Sequence, residues 1–346
     1  NESIDCYQKI IDISPDYIDA YINKAELLSL SGKLEESLST YRQILKIDSC
    51  NPTSYIRYGN LLNKLGKVDE AISAYRKSIK IKPENSGAYS NLGYIYQKLG
   101  NYEEEIKCLR KSVEINEDYE VCINLATSYS KNKDYKLAIT FYDKAIKLDS
   151  TKTEALRHKA YFYQSIKETD KAILLFTKAL QVDVNYKYLF GERFYAKNSI
   201  CDWSNFEEDF NFIKLRLNQK LFVAHPLAVC NNFDDLPIQK KAAEIWANDK
   251  FPYDDSLGSI QKYKKNNKIK IGYFSGDFSE HPVGFLMADL FEKHDKTKFE
   301  LFGFSVTKKI NSETRIRIKK SFDEFIDVEN HSDKDVALLA REKKID

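Results

Sequence analysis

No apolar run reaches the roughly eighteen residues of a membrane span, and no leader of the secretory type is readable. Neither sign of charge dominates: 54 lysines and arginines face 52 aspartates and glutamates. That balance gives no electrostatic footprint for nucleic acid. Six cysteines (Cys6, Cys50, Cys108, Cys122, Cys201, Cys230) are scattered without a CxxC pair, which removes the common metal spacings. Cysteines of this kind in helical segments read as small buried apolar residues of a reducing compartment. GxGxxG, a P-loop lysine and HExxH are all absent, so the matching nucleotide and zinc readings fall away. His158, His225, His281, His294 and His331 are too dispersed to imply a metal. The expectation is a soluble, cytoplasmic protein that partners neither nucleic acid nor membrane. An initiator methionine is missing, and the chain stops on Lys344-Ile345-Asp346 where a further strand is expected, so both ends read as cut.

What is present first is repetition. YINKAELLSLSGKLEESLSTY, YIRYGNLLNKLGKVDEAISAY and YSNLGYIYQKLGNYEEEIKCL superimpose without gaps. Small residues recur at Ala25, Gly59, Gly93, Ala126 and Ala160, at spacings of 34, 34, 33 and 34. That is the tetratricopeptide period. A second series runs Ser37, Ala71, Glu105, Ala138, Ala172, and a third Ile44, Ser78, Ser112, Ala145, Ala179. Paired helices approach closely only where side chains are short, so the exceptions, Glu105 and Ile44, predict looser packing in their repeats. Tyr41, Tyr75, Leu109, Tyr142 and Phe176 form a stripe of large residues. Gly32, Gly66 and Gly100 sit where a left-handed cap should end the first helix of a pair. Lys133 and Lys167 replace that glycine later, and Pro15 and Pro83 follow second helices. Residues 1–184 therefore read as a half repeat and five full repeats.

Two residues before each small position stand Asn23, Arg57, Asn91, Asn124 and His158. Arrays of this kind bind extended peptides on a concave face. Asn23, Asn91 and Asn124 are candidate substrate-binding residues, each offering a donor and an acceptor to a peptide backbone. The alternative is that asparagine is simply common at that position. Residues 185–267 lose the period but stay helical. Ser204 with Glu207 predicts a capping box, and Asp235 with Pro237 another helix start. Lys262, Lys264, Lys265 and Lys268 read as a solvated linker.

Residues 268–346 change character. Ile269 to Phe274 predicts a buried strand, and Gly272 and Gly276 a bend with freedom for positive φ. Asp277, Phe278 and His281 follow, and Pro282 opens a helix to about Lys293 with Phe285, Leu286, Leu290 and Phe291 at helical spacing. Strands at 299–306 and 324–328 alternate with helices at 312–321 and 333–343, which argues a parallel sheet. A loop at the carboxyl end of a strand is where open α/β sheets bind ligands. Ser275 is one place too late for a nucleophile elbow.

The run Ile271-Gly-Tyr-Phe-Ser-Gly-Asp277-Phe-Ser-Glu-His281-Pro282, continuing through Leu286 and Met287 into HDKTKFELFGFS, resembles the O-linked N-acetylglucosamine transferase and SPINDLY family. Cys201-Asp202-Trp203 and DDLPIQKKAAEIWA are similar to that family's connecting region. The resemblance implies a tetratricopeptide solenoid followed by the first part of an α/β, Rossmann-like lobe of GT-B type. It implies transfer of N-acetylglucosamine or fucose from UDP-N-acetylglucosamine or GDP-fucose to Ser or Thr of proteins. The repeats would recruit the acceptor, and no metal or other cofactor is implied.

By the same resemblance His281 is the catalytic candidate, within an active-site loop that includes Asp277 and Pro282. An imidazole with a reference pKa of about 6.5 could accept a hydroxyl proton near neutrality. It could equally orient substrate or merely hold the loop. Phe285 stands where some members carry a second histidine. Ending before the second lobe, the chain alone is expected to bind donor poorly and be inactive. The rival expectation is a protein-interaction scaffold with a non-catalytic α/β tail.

Overall fold

Helix pairs follow one another from the amino terminus because each short amphipathic helix can bury its apolar face only against its neighbours. The computed structural model describes residues 2–253, 255–260, 267–307 and 312–345. Lys262, Lys264 and Lys265 of the basic stretch lie outside the described residues. Two compact units are present, Asn1–Lys250 and Phe251–Asp346.

In the first unit α1 (Glu2–Ile13) precedes five pairs: α2 and α3 (Ile18–Leu30, Leu34–Ile47), α4 and α5 (Pro52–Lys64, Val68–Ile81), α6 and α7 (Ser86–Lys98, Tyr102–Ile115), α8 and α9 (Tyr119–Lys131, Tyr135–Leu148), and α10 and α11 (Thr153–Ser165, Thr169–Val182). Local chemistry starts and stops them. Asn51 and Asp118 accept the backbone N–H of Ser54 and Val121, each at 3.0 Å, satisfying donors that helix geometry leaves orphaned. Gly32, Gly66 and Gly100 adopt φ of +81°, +75° and +71°, as a left-handed cap requires. Lys133 and Lys167 hold the same conformation at +63° and +64° despite their Cβ atoms.

Between paired helices the small residues are buried, Ala25, Ala71, Ala126, Ala138, Ala160 and Ala172 completely. A Cβ on Gly93 would lie 2.8 Å from Leu109 Cδ2. Of the two positions where looser packing is expected, the α2–α3 pair of Ile44 does pack less closely than the other four pairs, whereas the α6–α7 pair of Glu105 does not, and both side chains are fully buried. Glu105 fits because Oε1 accepts hydrogen bonds from Gln97 Nε2, at 2.9 Å, and from the Ser128 hydroxyl. Of the cysteines only Cys108 and Cys122 are buried. Burial pushes both thiols up to about 11. Cys6, Cys50, Cys201 and Cys230 are exposed, against the expectation from their helical context.

The connecting helices α12 (Leu189–Ser199), α13 (Phe206–Asn218), α14 (Pro226–Cys230) and α15 (Leu236–Lys250) extend the solenoid. Phe176 and Ala179 of the last repeat share one core with Phe194, Ile213, Val229 and Ala242. Asp235 caps α15 as expected, accepting from Ile238 N–H at 3.1 Å. The Ser204–Glu207 capping box does not form. Asn205, left-handed at φ 56°, is the residue before α13 and makes no side-chain cap. Ser204 instead gives its carbonyl to Lys197 Nζ, and Lys197 and Arg193 both bind the buried carboxylate of Asp209. The turn through Cys201 and Asp202 is thereby clamped between α12 and α13.

The second unit runs β1 (Ile269–Ser275), α16 (Pro282–Lys293), β2 (Phe299–Ser305), α17 (Glu313–Ser321), β3 (Glu324–Asp327) and α18 (Asp333–Glu342). The strands form a parallel sheet in the order β1-β2-β3. Alternation along a strand explains its two faces. Leu301 packs with Phe278, Phe291, Ile318 and Phe322 on one side. Phe302 and Phe304 pack with Val336 and Leu339 on the other. Gly272 lies inside β1, whereas the chain bends at Gly276 as it leaves the strand, and neither glycine has positive φ. Of the four residues expected to form the apolar face of α16, only Phe291 is buried, while Phe285, Leu286 and Leu290 are exposed. Among the described residues no helix is long and apolar enough to cross a membrane.

Candidate functional site

Strand register builds the site. Ser275 pairs with Ser305 and Ser305 with Asp327, so the carboxyl ends of all three strands finish level. The loop of residues 276–281 leaves β1 at that edge. Ser275 Oγ accepts the Asp277 N–H at 2.9 Å, and Thr307 Oγ1 donates to the Gly276 carbonyl at 2.7 Å. The Ser279 and His281 N–H groups bond to the Asp277 and Ser279 carbonyls, both at 2.8 Å. Phe278, 3% exposed, drives its ring among Phe291, Phe322 and Phe325. Gly284 closes the arrangement, because a Cβ there would fall 2.2 Å from the Ser279 carbonyl oxygen.

His281 is the N-cap of α16. Its Nδ1 accepts the Val283 N–H at 3.3 Å, and Pro282 occupies the first helical position, where no N–H is needed. Asp277 Oδ2 lies 3.7 Å from the same nitrogen, and both side chains are about half exposed (47% and 45%). With Nδ1 acting as acceptor, a neutral imidazole carries its proton on Nε2. In that tautomer Nε2 of His281 is a hydrogen-bond donor. Removing a proton from an acceptor would need the lone pair already given to Val283. Asp277, Pro282 and His281 are thus brought together. Two clefts of this unit, of about 480 Å³ beside Arg317 and about 960 Å³ beside Phe274 and Ile345, are lined by none of the three.

Sequence reasoning missed Arg315. Its guanidinium, on α17, reaches the ends of β2 and β3 and the loop after β1. Nη1 donates to the Phe278 carbonyl at 3.3 Å and Ser305 Oγ at 3.1 Å, and Nη2 pairs with Asp327. The available signal was spacing: Arg315, Ile318 and Phe322 form one buried helical stripe, so a charge sits on the apolar face.

The asparagine row is less uniform than its spacing. Asn91 Nδ2 donates to Asn60 Oδ1 at 2.9 Å, and that oxygen also accepts from Tyr75 OH at 2.6 Å. Asn124 Nδ2 donates to the Glu120 carbonyl at 2.8 Å and to Tyr94 OH at 3.2 Å. Asn23 is exposed. Arg57 pairs with Glu26, and burial with help from Arg157 holds His158 below its ordinary pKa. Asn60, which sequence reasoning passed over, links Asn91 to Tyr75. Among the described residues no group of three or more His, Cys, Asp or Glu could hold a metal ion.

Residues 227–339 match the sequence model of glycosyl transferase family 41. Residues 6–39, 59–100, 86–119 and 119–152 match tetratricopeptide repeat models. This chain carries both kinds of match, to tetratricopeptide repeats and to glycosyl transferase family 41. That combination is consistent with the O-linked N-acetylglucosamine transferase and SPINDLY type. Over 78 residues, 22% of this chain, it is 33% identical to the probable UDP-N-acetylglucosamine–peptide N-acetylglucosaminyltransferase SEC of Arabidopsis thaliana. The matched stretch spans 8% of that protein. Among solved structures, YrrB, described as a TPR protein with an unusual peptide-binding site, is 24% identical with a TM-score of 0.44, covering 52% of this chain and 93% of its own. PilF of Pseudomonas aeruginosa is 17% identical with a TM-score of 0.49, covering 66% of this chain and 97% of its own. The family 41 match begins in α14, upstream of the sheet.

Proposed function

We propose that the complete protein is a protein O-glycosyltransferase that moves N-acetylglucosamine or fucose from a nucleotide-sugar to Ser or Thr hydroxyls. The observation that carries this reading is the family 41 match over residues 227–339 on a chain that begins with tetratricopeptide repeats. UDP-N-acetylglucosamine and GDP-fucose are substrates in this scheme, and the repeats deliver acceptor polypeptide through the row that includes Asn23, Asn91 and Asn124. His281 contacts substrate through Nε2, where its proton is available as a donor, while Pro282 and the Val283 N–H hold the ring at the helix start with Asp277 beside it. The test is mass spectrometry of acceptor proteins incubated with the full-length protein and each donor in turn. Added hexosamine or deoxyhexose, lost in His281→Ala, is expected. No added sugar with either donor would leave a binding scaffold. A double change, Asn91→Ala with Asn124→Ala, should weaken capture of extended peptides with the helices intact, and unchanged affinity would remove the row from the scheme.

A further inference from the structure

We propose that Arg315 is the positioning residue for the His281 loop, a role that rests on His281 being the group that meets substrate. The guanidinium is 6% exposed and bonds to three acceptors in different directions. Two of them, Ser305 Oγ and the Asp327 carboxylate, stand at the ends of β2 and β3 and are fixed by strand pairing. The third, the Phe278 carbonyl, belongs to the loop. Arg315 therefore refers the loop backbone to the sheet directly. Its Cζ also lies 5.1 Å from the centre of the Phe325 ring, which packs 5.5 Å from the Phe278 ring. One residue thus holds both the carbonyl and, through Phe325, the ring of Phe278.

From Phe278 the constraint passes along the loop. Ser279 and His281 each bond backward to the carbonyl two residues earlier, so a moved Phe278 peptide moves the frame that aims the imidazole. Asp327 compensates the buried charge, which otherwise would be too costly to desolvate. A lysine would keep that charge, but one ammonium on a flexible stem cannot reproduce a planar fork aimed at three acceptors.

The experiment uses the full chain labelled with 15N-histidine, His281 being assigned by its loss in His281→Gln. Long-range proton–nitrogen spectra read which ring nitrogen is protonated. The wild type should show His281 protonated at Nε2. Arg315→Lys should move the His281 Nδ1 resonance and mix the two tautomers, leaving His158 and His331 unchanged. A merely stabilising Arg315 would lower the melting temperature without touching the His281 tautomer, and that result would overturn the proposal. Should Arg315→Lys fail to fold, the wild type still decides. In a second sample labelled with 15N-arginine, Arg315 Nη–H signals must be resolved and slow to exchange, and a rotationally averaged guanidinium would refute the anchoring. In the complete enzyme Arg315→Lys should lower kcat by about 10- to 100-fold, as small misplacements of reacting groups do, with the donor KM little changed. The tautomer readout needs no turnover, so it judges Arg315 even if no sugar is transferred.

Discussion

Replacing Gly284 by alanine tests how tightly the His281 loop is built against its helix. The new Cβ would lie 2.2 Å from the Ser279 carbonyl oxygen and 3.0 Å from that of Asp277. Both are backbone atoms, so neither can rotate aside. Restoring an ordinary contact requires the loop or the helix to shift by roughly 1 Å. Overpacking of this kind costs about 1–3 kcal/mol. Helix propensity offsets at most about 1 kcal/mol of that. The net expectation is a loss of about 1–2 kcal/mol, concentrated at the junction of β1 and α16. Hydrogen exchange followed by mass spectrometry localises it: peptides covering residues 276–291 should exchange about 5- to 30-fold faster. Peptides from α2 to α9 serve as the internal reference. Gly87→Ala is the opposite control, since its Cβ would meet only Asn85 Oδ1 at 3.6 Å. That change should leave stability equal or raise it by a few tenths of a kcal/mol. If Gly284→Ala protected the loop as well as the wild type does, the close approach would be wrong and its support for His281 would go with it.

Other consequences are open to measurement. Lys133→Gly and Lys167→Gly relieve side chains held at φ of +63° and +64°, and each should stabilise the array by roughly 0.5–1 kcal/mol in urea titration. A loss of stability would mean that the lysine stems contribute packing there. Glu105→Ala installs the residue found at the matching place in three other repeats, yet it strips acceptors from Ser128 and Gln97 and empties buried volume. It should cost about 2 kcal/mol rather than stabilise, and a gain in melting temperature would count against the buried network. The pKa of His158 is lowered by burial and by Arg157, against an opposing pull from Glu154. The unfolded chain therefore takes up the proton first on acidification. The stability that neutral His158 confers is complete above about pH 6.5 and is lost as pH falls through its folded value. His158→Gln should flatten the fall in stability between about pH 7 and pH 5. An unaltered slope would assign the acid sensitivity elsewhere.

The fold was legible where one residue type solves one local problem. Repeated small residues, glycines at left-handed caps and apolar strands between helix starts all act within a few positions of themselves. Glu105 shows where that logic stops. By type it should have spread its helix pair, but Ser128, 23 residues away, and Gln97 supply hydrogen bonds to one oxygen, Oε1, of the buried carboxylate. Arg315 was hidden for the same reason. Its partners lie on the loop after β1 and at the ends of β2 and β3, and only the folded sheet gathers them. Ser204 failed differently: its spacing to Glu207 suits a cap, but the buried Lys197–Asp209 pair claims the turn first.

The His281-Pro282 pair separates structural from chemical meaning. Proline at the first helical position leaves Val283 with the first free N–H, and histidine before it supplies the acceptor. The same device occurs at His225-Pro226, where His225 Nδ1 accepts the Leu227 N–H at the same 3.3 Å. Capping by His-Pro is therefore a general helix start in this chain and does not by itself mark a site. What differs is the setting. The His225 ring packs edge-on against Trp246 and Tyr188. His281 stands half exposed beside Asp277 where the three strands end. Capping and base catalysis compete for one lone pair, since an imidazole protonated at Nδ1 can no longer hold the Val283 N–H. Holding the helix start therefore leaves Nε2 as the ring nitrogen of His281 that is free for another partner.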